Sequence, residues 1–171
     1  MLLLSTVLAG TAHASLITNG GFESGLSGWS CTGADMCTTT TSAYAGSYAA
    51  YGYANSGHGT LSQVIATTIG TTYDFSVFSE AYQVAGNEFG YSFSDFSHAV
   101  FAPVTTSWEE SMGSFVATST STDISLYFST TPGTGTVSMD NVSVVAVPEP
   151  ASLALLSLGL LGLGLSRRRS K

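Results

Sequence analysis

Lysine and arginine are absent from the first 166 of the chain's 171 residues; the 4 basic side chains are Arg167, Arg168, Arg169 and Lys171. The body between residues 15 and 147 holds every carboxylate except Glu149, so it has no ammonium or guanidinium group with which to build salt bridges. Such a body repels nucleic acid and anionic membrane instead of gripping them. Cysteine is limited to Cys31 and Cys37, too few for a four-thiolate zinc site or a multi-bridge framework. No Gly-x-Ser-x-Gly turn occurs, and no stretch of the body carries a sustained 3.6-residue apolar stripe. What fills the body is Ser, Thr, Gly and aromatic residues. Hydroxyls replace charges in keeping its surface wetted, and the aromatic content separates it from a disordered Ser/Thr stalk.

The two ends differ from the body. MLLLSTVLAGTAHA is apolar over residues 2–9 and closes on the small-x-small triplet Ala12-His13-Ala14. That order marks residues 1–14 as a signal peptide and Ser15 as the mature start, although no basic residue precedes the apolar stretch. Residues 151–165 form a second apolar run, rich in Leu, Ala and Gly and expected to be helical. Fifteen residues at about 1.5 Å each reach about 22 Å, short of a hydrocarbon core of about 30 Å. The basic cluster behind the run holds it at the cytoplasmic side while the rest of the chain crosses.

Val147-Pro148-Glu149-Pro150, the apolar run and the Arg cluster occur in that order at the chain end, and the string resembles the PEP-CTERM protein-sorting signal. The resemblance implies a sorting segment over residues 147–171, with Pro148, Glu149, Pro150, Arg167, Arg168 and Arg169 as its motif. It also implies an exosortase as partner and a short transmembrane helix, 151–165, before processing. Delivery to the cell surface or extracellular polymeric matrix of a Gram-negative bacterium follows. Pro148 and Pro150 have a plain physical role as well, since neither has an N–H to donate and both keep the segment extended.

Within the body, apolar residues recur with period two. Tyr73, Phe75 and Val77 alternate with Thr72, Asp74 and Ser76; Phe89, Tyr91 and Phe93 with Gly90, Ser92 and Ser94; Ile124, Leu126 and Phe128 with Asp123, Ser125 and Tyr127. Further strands are expected over residues 47–53, 60–65, 99–104, 108–117 and 137–145. Turn signals at Asn55-Ser56-Gly57, Gly70-Thr71, Gly86-Asn87 and Pro132-Gly133 separate them. Short, regularly spaced strands predict an all-β sandwich occupying residues 15–146. Cys31 and Cys37, in a Gly- and Asp-containing loop after Trp29, are expected to form a disulfide in an exported chain. A metal site there would have to recruit His58 or His98.

Asn19-Gly20-Gly21-Phe22-Glu23-Ser24-Gly25 with Gly28-Trp29 resembles the opening of galactose-binding-like jelly rolls, among them carbohydrate-binding modules of families 4, 9 and 22. Gly46-Ser47-Tyr48, Leu61-Ser62-Gln63-Val64-Ile65, Gly70-Thr71-Thr72-Tyr73 and Met139-Asp140-Asn141-Val142 extend the likeness in order across the body. It implies a jelly-roll β-sandwich and a structural Ca²⁺ site made by the Glu23 and Asp140 side chains with backbone carbonyls of Gly21 and Ser47. A hard cation wants several oxygens, and carboxylates from opposite chain ends would close a long loop. Otherwise Glu23 caps a turn and Asp140 bonds backbone amides.

For function, nothing in the spacing of Glu80, Glu88, Asp95, Glu109 and Glu110 singles out an acid–base pair, and a lyase acting on uronates would want a basic group. Tyr82, Gln83, Asn87 and Glu88 form a loop whose chemistry suits sugar hydroxyls, and Tyr44, Tyr48, Tyr51 and Tyr53 form a second aromatic cluster. The expectation is an exported, non-enzymatic surface or matrix protein that binds extracellular polysaccharide. The alternatives are a purely structural or adhesive matrix protein and a polysaccharide-processing enzyme.

Overall fold

The computed structural model describes residues 14–54, 58–82, 87–94, 100–130 and 135–148. Residues 1–13 of the expected signal peptide, the loop residue Gln83, and the chain from Glu149 and Pro150 through the expected C-terminal helix to Arg167, Arg168 and Arg169 lie outside the described residues. Within them all regular structure is β: β1 (Ser30–Thr32), β2 (Met36–Thr40), β3 (Ala49–Tyr53), β4 (Gly59–Ala66), β5 (Thr72–Tyr82), β6 (Glu88–Phe93), β7 (Val100–Pro103), β8 (Glu109–Val116), β9 (Ser121–Ser129) and β10 (Thr136–Ala146). Two five-stranded sheets, β1-β4-β9-β6-β7 and β2-β3-β10-β5-β8, pack face to face, and every strand pair is antiparallel. The chain is an all-β jelly roll, as the alternation and the motif order led one to expect.

Period two explains the core. In β5, Tyr73, Phe75, Val77 and Ala81 are buried while Asp74 in the opposite phase is exposed. Val137, Met139 and Val144 of β10 join that layer, and Leu61, Ile65, Ile124, Leu126 and Phe128 meet it from the facing sheet. Each such side chain contributes about 1.5–3 kcal/mol by leaving water. Phe128 fits only because glycines face it. A Cβ at Gly52 would stand 2.8 Å from its ring and 2.6 Å from the Met36 carbonyl oxygen.

Residues 30–32 and 36–40, expected as loop, are edge strands. β1 pairs with β4 and β2 with β3. Neither strand has a buried phase, because an edge strand of Ser, Thr and Cys is wetted on both sides, so periodicity is silent there. Cys31 and Cys37 are bonded, with Cα atoms 6.4 Å apart, and the bridge ties one sheet to the other at their edges. Replacing both with Ser is expected to lower stability by about 2 kcal/mol on the chain-entropy model. A lower denaturant midpoint at unchanged m-value checks it; an unchanged midpoint would make the bridge dispensable.

Residues 15–20 run beside the lower half of β10: Leu16 N donates to Val144 O at 2.8 Å, and Val142 N donates to Gly20 O at 2.9 Å. β10 shifts register between Asp140 and Ser143, where Asn141 takes a φ of 51°, a left-handed value that Asn tolerates.

Candidate functional site

The outer face of the β2-β3-β10-β5-β8 sheet is built by the phase opposite to the core. Tyr51 faces Ser138 and Ser138 faces Glu80; Asp140 faces Phe78 and Phe78 faces Glu110; Thr38 and Met36 flank Tyr51 and Tyr53. Because Ala50, Gly52, Val137, Met139 and Val77 are buried between the sheets, their neighbours along each strand point outward.

The connection between β2 and β3, residues 41–48, folds over this face as a strap. Asp140 Oδ2 accepts Tyr44 N at 2.9 Å and Ala45 N at 3.0 Å, while Glu23 Oε1 accepts Ser47 N at 2.8 Å and Tyr48 N at 3.0 Å. Asn141 N donates to the other Asp140 oxygen at 2.6 Å. Thus seated, the Tyr44 ring lies flat on Phe78, centroids 3.6 Å apart and planes 10° off parallel. Tyr44 remains 45% exposed even though Phe78 covers one face of its ring. Half-buried Trp108 stands 6.0 Å away at 58°, a wall beside the platform. Ser42 Oγ donates to Glu80 Oε1 at 3.4 Å next to it.

Two carboxyls of this region titrate above the usual range. Burial raises Glu80, and the Ser42 hydroxyl bond opposes that only in part. For Asp140, which is fully buried, burial is the largest cause; the N–H bonds from Ala45, Asn141 and Tyr44 pull the other way, and repulsion from Glu23 adds to the rise. Glu23 and Asp140 are therefore two carboxylates within electrostatic reach. Among the described residues no three His, Cys, Asp or Glu side chains gather as a metal cluster, so a cation there would need backbone oxygens. The structure brings all four residues of the expected cation site to this place. Glu23 is bonded to the Ser47 amide, and a Cβ at Gly21 would stand 3.9 Å from Asp140 Oδ1.

The other expected set is not gathered. Tyr82 ends β5 opposite Thr136 in one sheet. Glu88 begins β6 in the other sheet, exposed, with its carboxylate 3.8 Å from His58 Nε2. Asn87 is buried, and its carbonyl accepts Val104 N at 2.7 Å. Gln83 lies outside the described residues. Trp29 belongs to the core, packed on Phe22 at 5.3 Å with its indole N–H donated to Asn19 O. Sequence reasoning missed Phe78 and Ser42. For Phe78 a signal existed: it is an aromatic in the outward phase of β5, where Thr72, Asp74 and Ser76 are polar.

A flat apolar ring face, a second aromatic beside it, and a carboxylate with hydroxyls at the rim form the chemistry that a sugar ring needs. Its C–H face stacks and its hydroxyls find acceptors. Comparisons with known proteins point the same way. The family model described as carbohydrate binding domain matches residues 14–135, and that described as PEP-CTERM protein-sorting motif matches residues 146–169. No curated protein matches the chain. A family 61 carbohydrate-binding module solved with β-1,4-galactotriose is similar at TM-score 0.66 and 18% identity, over 78% of this chain and 99% of that one. The CBM22-1 xylan-binding domain of Paenibacillus barcinonensis Xyn10C is similar at TM-score 0.61 and 17% identity, over 83% of this chain and 100% of that one. These likenesses carry the fold; the family match carries more. The chain belongs to the carbohydrate binding domain family and ends in a PEP-CTERM protein-sorting motif.

Proposed function

We propose that this is an exported, non-enzymatic protein of the cell surface or extracellular matrix. It is sorted by an exosortase from a membrane-inserted tail, and it binds neutral polysaccharide on the outer face of the β2-β3-β10-β5-β8 sheet. The observation that carries the binding face is the exposed Tyr44 ring seated on Phe78 beside Trp108 and Glu80. A body without Lys or Arg favours uncharged chains over polyuronates or sulfated glycans. The test is a glycan array probed with the exported protein, whose intact mass should begin near Ser15 and end near Glu149. Retention of neutral polysaccharides supports the reading; binding to none of them, or to acidic glycans alone, contradicts it. An intact Arg167–Arg169 tail on the exported form would make the segment an ordinary anchor.

This reading includes a structural calcium ion. The support is chemical. Glu23 and Asp140 approach each other with no basic side chain in the body to offset them, and both keep oxygen valences that backbone N–H groups leave unused. Gly21 and Ser47 are the neighbours whose carbonyls would complete the shell. The ion would lock the strap, and with it the Tyr44 platform, to both chain ends. Ca²⁺ at a hundredfold excess over Kd should add about 2.7 kcal/mol, seen as a higher Tm than in chelator. Glu23→Gln should erase most of that difference. Identical melting of the native protein in both buffers would remove the ion from the reading.

A further inference from the structure

Exposed aliphatic side chains collect at one end of the sandwich. Among strongly exposed large hydrophobic residues, Tyr44 and Tyr48 belong to the strap, and Val64 stands on the other sheet opposite Asp123. Of the rest, Leu16, Ile69, Val116 and Val147 surround the point where the tail leaves the body, and Met112 stands midway along β8, opposite Ser76. Val147 N donates to Thr72 O at 2.9 Å, and Thr72 pairs with Val116 at the end of β8. Gly70 N donates to Ala117 O at 2.8 Å, which holds the Ile69 turn against the same strand end. Met112 shares the outward phase of β8 with Val116, and Leu16 lies beside Val144. Ile69 is 62% exposed, Val116 57% and Met112 69%, values unusual for aliphatics on a surface otherwise wetted by hydroxyls. Asp74, opposite Ser114 and Val145, is the carboxylate within this strip.

We infer that this aliphatic end is a membrane-resting surface, seated in the headgroup layer of a lipid bilayer while the tail is inserted. The inference rests on the tail reading above. Three residues, 148–150, separate Val147 from the apolar run, so the run begins within about 14 Å of that residue even if fully extended. A run of about 22 Å in a core of about 30 Å draws its flanks toward the interface. Here the flank is Val147, hydrogen-bonded to β5, so the strand end follows it. There Ile69, Val116 and Leu16 lose water contact, while Asp74 stays at headgroup level. With no basic side chain nearby, the attraction is apolar and independent of salt. β5 spans ten residue steps from Thr72 to Tyr82, so the opposite end of the sheet stands about 33 Å farther out.

The full chain from Ser15 is reconstituted in phosphatidylcholine vesicles with an environment-sensitive dye on Val116→Cys or, separately, on Thr106→Cys, an exposed position at the far end. The native cysteines are bonded and do not react. The Val116→Cys label should shift to the blue and lose fluorescence to headgroup spin-labelled lipid, at low and high salt alike. The Thr106→Cys label should do neither. If the vesicles float with the protein but both labels behave as in water, or both are quenched equally, the surface is overturned and the tail reading stands. A chain that does not float with vesicles overturns both.

Discussion

Asp140→Ala is expected to lower stability by about 3–5 kcal/mol and to release residues 41–48 from the sheet. The carboxylate is fully buried and accepts three backbone N–H groups, from Tyr44, Ala45 and Asn141. Each donor stranded without an acceptor costs about 1–3 kcal/mol, and water reaching the loosened strap limits the sum. Asp140→Asn keeps the shape and one carbonyl oxygen, so its loss should be smaller. Denaturant unfolding, with hydrogen exchange at the Tyr44 and Ala45 amides, measures both effects. An alanine variant that unfolds at the wild-type midpoint would show that this carboxylate does not hold the strap. Burial lifts the Asp140 carboxyl above its ordinary 3.8, so without metal the folded state binds that proton more tightly than the unfolded state. The extra stability that protonation of this group adds is then fully present below about pH 3.8 and is lost as pH rises through the lifted value, while its hydrogen bonds to the strap remain. Asp140→Asn removes that slope.

Tyr44→Ala and Trp108→Ala are each expected to weaken polysaccharide binding by about thirtyfold, the loss typical when a central aromatic anchor worth about 2 kcal/mol is removed. Neither ring is in the core, so the variants should unfold near the wild-type midpoint. Val64→Ala, on the other sheet, should bind as the native protein does. Glu80 makes the same interaction pH-dependent. Ionised, it only accepts hydrogen bonds from sugar hydroxyls; protonated, it is the weaker acceptor. Since burial raises its titration, affinity should fall on acidification at a pH above the ordinary 4.5, and Glu80→Gln should flatten the profile. Calorimetric titration of each variant decides these points; equal affinities would move the site elsewhere.

How legible these features were follows from their range in the chain. Alternation such as Tyr73, Phe75 and Val77 is local, so the strands and the sandwich could be read directly. β1 and β2 could not, because an edge strand wetted on both sides has no apolar phase to display. Glu23 and Asp140 came from motif likeness, and the geometry adds that each carboxylate holds strap amides. The Tyr44–Phe78 stack was illegible in a different way. It joins residues 34 apart through a loop held down by carboxylates from two further segments, and no periodicity encodes that fold-over. Tyr82, Asn87 and Glu88 are near in sequence and chemically apt, yet the β5–β6 connection carries the chain from one sheet to the other between them.

Backbone amide shifts of the native protein, titrated with the polysaccharide that the array retains best, test the binding face most directly. They should be confined to residues 42–53, 78–80, 108–110 and 138, along the strap and the outer sheet face. Shifts centred on His58 and Glu88 at the other sheet, or none at saturating ligand, would contradict it.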